Sequence, residues 1–409
     1  MNYALPFLNF GLSLAMLPIL SRGYSAELWG SWSLYFIAGS TTGTLITLRL
    51  ENVFYSTKKA EVVSRFCSTL LISMYLIHCI AIFATLSIFQ FDLQTTAAIL
   101  SLNTAINTIL IAYYLRIGRT TPYAFSVLML SAIPLCANVL ISIFTNFTKL
   151  NFFISYITSN MLTAFLAFRI IKMNFRNWSD YTKQCKRLAQ RGKHQLRYTL
   201  PQTVVNLVRL RSVYLFMGGN ISPSHIATYN FTERVSNSVS SSLAQVLRPY
   251  YVNHSKAHKG LLDSKLKILL ILIIASCLTL TFLLYNNNLL PIVFGEQYNN
   301  SDKIWKLMLL QGISAAFFNW GDKAFEIRNK QKLNFNIELS AAILFTLFFL
   351  INNKANLFIG WELLSTVIYL QISTYLAWSY FAIKTVWNAK AGASIILIFL
   401  VTFFILLSN

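Results

Sequence analysis

Residues 206–216 read NLVRLRSVYLF. The run is apolar enough to lie inside a bilayer, yet Arg209 and Arg211 stand near its middle. A central arginine costs roughly 2.5–3.5 kcal/mol on a membrane-insertion scale. Whether this stretch is a membrane helix therefore decides the fold and the chemistry together.

The surrounding chain answers the first part. Of 409 residues, 56% are hydrophobic and 11% charged, with a mean hydropathy of +0.55; soluble domains carry about 25% charge. Long apolar runs suited to crossing about 30 Å of hydrocarbon as helix recur along the sequence. The ten-residue alternation of membrane β-barrels is absent. Thirteen candidate spans follow: 2–20, 29–48, 66–89, 95–115, 122–145, 150–171, 199–219, 225–247, 266–285, 303–322, 334–351, 357–383 and 391–408. The expected architecture is an all-α integral membrane protein with 12 to 13 transmembrane helices. Residues 1–171 form an N-terminal lobe of six spans, 172–198 a basic cytoplasmic connector, 199–383 a C-terminal lobe of six, and 384–409 an additional helix.

Charge placement orients the bundle. With the N-terminus in the cytoplasm and strict alternation, 26 of the 34 Lys and Arg fall on the cytoplasmic side, five outside and three within spans. That is the asymmetry of the positive-inside rule. It also accounts for most of the net charge of +21 without invoking nucleic acid. The connector KMNFRNWSDYTKQCKRLAQRGKHQLRY is the densest basic patch. It reads as a topology determinant touching anionic lipid headgroups, or as a site for a partner.

Several chemistries are not called for. The five cysteines, Cys67, Cys79, Cys136, Cys185 and Cys277, are scattered singly, so neither a disulfide framework nor a metal site is indicated. No GxxxxGK[ST] loop occurs, and no motif implies a cofactor. No Lys or Arg precedes the first apolar run, which reads as a first spanning helix rather than a cleavable leader.

The intramembrane charges carry the functional reading. At about 100° per residue, positions 209 and 211 point roughly 200° apart. Arg209 shares its face with Gln202, Asn206 and Ser212, a polar stripe that should look into a hydrated cavity. Arg211 shares its face with Val204, Leu207, Val208 and Leu215. It should pair with a carboxylate on a neighbouring helix, Glu233 being nearest in sequence, or mark a second wet surface. The eighth span is polar on two adjacent sides, one with Glu233, Asn237, Ser240 and Ser241, the other with Arg234, Ser238, Ser242 and Gln245. Such a span must border the same cavity or pack deeply between helices. His78 reads as a hydrogen-bonded packing residue more readily than as a proton relay. The acids of residues 1–171 are Glu27, Glu51, Glu61 and Asp92, all placed in loops or at helix ends. A cavity poor in acids and lined by guanidinium suits an anionic, phosphate-bearing cargo.

The order of motifs resembles a known family. LPILSRGYSAELWGSW (17–32), LITLRLENVFYSTKK (45–59), LPQTVVNL (200–207), IATYNFTERV (226–235) and LLPIVFGEQYNNSDKIWKLM (289–308) resemble Wzx-type polysaccharide and O-antigen flippases. These belong to the multidrug/oligosaccharidyl-lipid/polysaccharide (MOP) exporter superfamily. The resemblance implies two six-helix lobes around a central cavity and a polyprenyl-diphosphate-linked oligosaccharide as cargo. It also implies movement across a bacterial inner membrane, alongside polysaccharide polymerase machinery. It extends a substrate-contact role to Arg234 and Arg49. The candidate substrate-binding set is thus Arg209, Asn206, Gln202, Arg234, Arg49 and Arg211, with Glu233 as the ion-coupling candidate. A thirteenth span departs from the usual twelve. Two other readings stay open: a cation-coupled drug exporter of the same fold, and a membrane polysaccharide polymerase or glycosyltransferase. The second is disfavoured by external loops too short to carry a catalytic site.

Overall fold

A computed structural model describes residues 4–57, 59–175, 177–193, 195–217, 221–236, 261–285, 287, 289–328, 330–355 and 357–408. Among them there is no strand, and each of the thirteen expected segments is helical over most of its described length. Among the described residues, four helices are long and apolar enough to cross a membrane: Ala60–Phe89, Leu93–Ile117, Lys149–Asn174 and Lys332–Ala355. The bent pair Thr120–Leu130 and Ala132–Thr145 makes a fifth if it is one span. The chain divides into two compact units, Met1–Leu207 and Val208–Asn409.

In the first unit the Leu93–Ile117 helix is the axis, with the Ala26–Ile46, Ala60–Phe89 and Lys149–Asn174 helices packed around it. The apolar window of this central helix is 67% buried, against 17% for Ala60–Phe89, which turns its large side chains outward. Ile80, Phe83, Phe165, Phe168 and Met173 are all at least 65% exposed. A surface this apolar on helices long enough to span a bilayer fits contact with lipid. Gly39 and Gly43 let the second helix approach the axis closely. A Cβ on Gly39 would sit 2.5 Å from the Ala97 carbonyl oxygen, and one on Gly43 2.7 Å from Thr104 Cβ. This is the small-residue spacing that brings membrane helices together.

The fifth expected span, 122–145, is not one straight helix. It breaks at Ser131 and bends by 50°. Pro134 has no N–H to donate to the Leu130 carbonyl, which opens the ladder at that point. The nearby Met129 carbonyl instead accepts from Asn103 Nδ2 (3.2 Å) and Ser159 Oγ (2.7 Å). Asn107 Nδ2 in turn donates to Asn103 Oδ1 (2.9 Å). The bend is held by polar side chains of the axis and of the Lys149–Asn174 helix.

The connector also differs from a simple loop. Within it, Trp178–Arg191 forms a helix capped by Asn177, whose side chain accepts from the Asp180 N–H (2.8 Å), and Gln195–Thr199 forms a π-helical turn.

In the second unit, the Asp302–Ile327 helix runs along Trp361–Val386, with Ser264–Tyr285 and Ala389–Ser408 packed at their sides. Trp378 Nε1 donates to Asn334 Oδ1 (2.7 Å) in the core, and its ring meets Phe325 edge-on at 5.2 Å.

Candidate functional site

A cluster of half-buried charges in the second unit lies where the Leu200–Met217 helix meets the helix of residues 223–236. On the first, Arg211 and Tyr214 are three residues apart and share a face. On the second, Asn230 and Glu233 have the same spacing, and Arg234 follows. Tyr214 is 3% exposed, and its hydroxyl donates to Glu233 Oε2 while accepting from Asn230 Nδ2 at 3.2 Å. Arg211 and Arg234 both act electrostatically on the Glu233 carboxylate. The Arg211 Nε is buried and makes no hydrogen bond among the described residues. Behind this cluster the Tyr214 and Tyr229 rings meet edge-on at 5.4 Å, and the Tyr229 hydroxyl donates to Gln371 Oε1 (3.4 Å). One carboxylate thus stands against two guanidiniums in a site lined with neutral donors. Such a site favours an anion.

The other expected residues fall as follows. The backbone of Arg209 lies in the Leu200–Met217 helix, but its side chain, like that of Ser212, is outside the described part. Gln202 and Asn206 are half-buried on the same helix in the first unit. Asn237, Ser238, Ser240, Ser241, Ser242 and Gln245 lie outside the described residues.

Arg49 sits in the first unit at the end of the Ala26–Ile46 helix, in a left-handed turn with Leu48 (φ 57° and 51°). Its Nη1 is 3.3 Å from Glu51 Oε1. Glu51 is at a helix end as expected, yet it is only 2% exposed. His78 is 1% exposed, its Nδ1 against the Met74 carbonyl (2.9 Å) and its Nε2 against Ser101 Oγ (3.0 Å). Both ring nitrogens are held by neutral partners, which is the arrangement of a packing residue.

Tyr214, Asn230 and Gln371 were not among the sequence candidates. Tyr214 was legible in principle, one helical turn beyond Arg211 on its face. Its apolar ring hid the hydroxyl from a count of polar residues.

No protein-family model matches the chain, and no curated protein matches it. Solved structures do. The chain is similar to the lipid II flippase MurJ in an inward closed conformation, with a TM-score of 0.62 at 15% identity, covering 100% of this chain and 92% of that one. It is also similar to a multidrug resistance MATE family transporter of the MOP superfamily in an inward-facing conformation. There the TM-score is 0.50 at 12% identity, covering 97% of this chain and 95% of that one. At these identities the likeness is one of fold. The chain is a multi-pass α-helical membrane protein whose fold is similar to that of these two transporters.

Proposed function

We propose that the chain is a MOP-superfamily flippase of the Wzx type. It would move a polyprenyl-diphosphate-linked oligosaccharide, an O-antigen or capsule-type repeat unit, across the bacterial inner membrane by alternating access. The observation that carries this reading is the charge of two successive helices of the second half. Arg209, Arg211 and Arg234 stand against the single acid Glu233, and burying that excess of guanidinium is costly unless an anion offsets it. A diphosphate supplies the charge and the bidentate geometry. In this reading Arg209, with Gln202 and Asn206, meets the diphosphate. Arg234 and Arg49 are further contacts, and Arg211 holds Glu233. The lipid tail stays in the bilayer while residues 1–171 move against 199–383. The N-terminus is cytoplasmic, and a polysaccharide polymerase consumes the product. Glu233 is the proposed ion-coupling group.

The experiment is reconstitution in liposomes with a fluorescent polyprenyl-diphosphate sugar. Arg209→Ala is expected to slow movement between leaflets while the protein stays folded; wild-type rates in that variant would remove Arg209 from the cavity. A second reading, a cation-coupled drug exporter, is favoured by the half-buried Glu233 within a helix and by the likeness to a MATE transporter. It predicts that the same liposomes accumulate a lipophilic cation and that Glu233→Gln abolishes this.

A further inference from the structure

The connector helix Trp178–Arg191 lies at the rim of the apolar belt. The Ala60–Phe89 helix has 30 residues, about 45 Å at 1.5 Å per residue, longer than the ~30 Å hydrocarbon core. Its exposed large apolar side chains begin at Leu76 and Ile77 and continue through Ile80, Phe83 and Ile88. The segment before them is covered by the connector helix. Tyr181 Oη is 2.9 Å from Ser73 Oγ, Gln184 and Leu188 are buried, and the Arg191 guanidinium lies 5.5 Å from the Phe66 ring centre. On the Lys149–Asn174 helix the exposed apolar residues run out at Met173. There the chain turns, and Trp178, 60% exposed, meets Phe175 and Tyr181 edge-on at 5.5 and 5.4 Å. Aromatic residues at this level mark the headgroup region.

The outward face is cationic. At 100° per residue Tyr181, Gln184 and Leu188 share the packed face, and Lys183, Lys186 and Arg187 leave from the other side, all exposed. Lys172, Lys193 and Arg197 add to them, and Asp180 is the one acid of 172–198. A basic surface at headgroup depth complements an anionic bilayer.

The far end of this helix reaches a second element. Gly192 lies against Leu50 with no room for a Cβ, and the Gln195–Thr199 turn touches the Leu50–Asn52 turn. Leu188 belongs to the same buried cluster as Val53, Phe54 and Phe66. On the opposite side, Arg116 donates to the Phe54 (3.1 Å) and Thr57 (2.7 Å) carbonyls. The turn that carries Arg49 and Glu51 is therefore clamped between the central helix and the connector.

We propose that the connector helix binds anionic phospholipid headgroups through Lys183, Lys186 and Arg187, and that this binding holds the Arg49–Glu51 turn in place. The interaction is independent of the cargo assigned above.

The test is hydrogen exchange on the full chain in nanodiscs, either purely zwitterionic or containing phosphatidylglycerol. Anionic lipid is expected to slow exchange in both 178–191 and 49–57 of the wild type. K183Q/K186Q/R187Q should lose both effects while the Leu93–Ile117 helix stays protected. Each charge near an anionic surface is worth roughly fivefold in lipid affinity, on the order of 100-fold for the three. Should the variant not fold, the wild type in high salt replaces it, because exposed charges are screened and both effects should fade. Exchange indifferent to anionic lipid, or slowing that survives the triple substitution or high salt, overturns the proposal. Slowing confined to 178–191 overturns the link to the turn. Slowing that needs an added protein rather than lipid points to a protein partner and overturns the lipid assignment.

Discussion

Tyr214→Phe isolates a hydroxyl that ties the Leu200–Met217 helix to the helix of residues 223–236. The substitution keeps the ring and its edge contact with Tyr229 at 5.4 Å. It removes the donor to Glu233 and the acceptor of Asn230 Nδ2. A hydrogen bond to a charged group contributes about 1.5–3 kcal/mol in water-soluble proteins. Bonds between membrane helices average about 0.6 and reach about 1.7 kcal/mol, because the unfolded segments in the membrane also find partners. Tyr214 is 3% exposed and its acceptor is a carboxylate, so the upper membrane value applies, and the expected loss is about 1.5 kcal/mol. The assay is reversible unfolding by SDS titration in mixed micelles, run as a double-mutant cycle with Glu233→Met. A coupling energy of about 1–2 kcal/mol is expected. Additivity within about 0.5 kcal/mol would show that the two side chains do not interact and would dissolve the cluster.

Four further substitutions follow, read by the same unfolding measurement or by flipping. Arg49→Ala removes the guanidinium that lies 3.3 Å from Glu51, a carboxylate only 2% exposed. Breaking a buried pair costs about 3–5 kcal/mol, reduced here to roughly 2–3 because Arg49 is 28% exposed, and Glu51→Gln should restore part of it. Asn103→Ala removes a donor to the Met129 carbonyl and the acceptor of Asn107. A loss of about 2 kcal/mol is expected, and an unchanged midpoint would mean the polar contacts do not hold the bend. Arg211→Met should lower stability, with flipping falling only as the folded fraction falls. Arg209→Ala should do the reverse, and identical behaviour of the two would contradict their different faces.

Helix positions were legible because apolar length is a strong signal in a chain that must satisfy its backbone inside lipid. The bend at Ser131 was not, since Pro134 sits inside an otherwise continuous apolar run and its consequence depends on Asn103 and Ser159 arriving from other helices. The connector read as a loop because its basic residues dominate. Its helix is stabilised by what Tyr181, Gln184 and Leu188 pack against, which no local pattern records. Glu51 was correctly placed at a helix end, but a burial of 2% exposed follows from the left-handed turn at Leu48 and Arg49, a conformation rare for such residues. At the candidate site, helical phase sets Arg211 on an apolar face, and Glu233 is its expected partner only as the nearest carboxylate in the sequence. Tyr214, whose hydroxyl bonds Glu233 and Asn230, shares a face with Arg211, but its ring reads as an ordinary buried aromatic.

The central claim is that this fold carries an anionic lipid-linked sugar rather than a cation. The direct measurement places a fluorescent polyprenyl-diphosphate sugar and a fluorescent lipophilic cation in the same proteoliposomes and follows both, with and without an imposed ion gradient. The account predicts movement of the sugar lipid between leaflets and none of the cation beyond protein-free vesicles. Gradient-driven movement of the cation, with the sugar lipid left in its original leaflet, would contradict it.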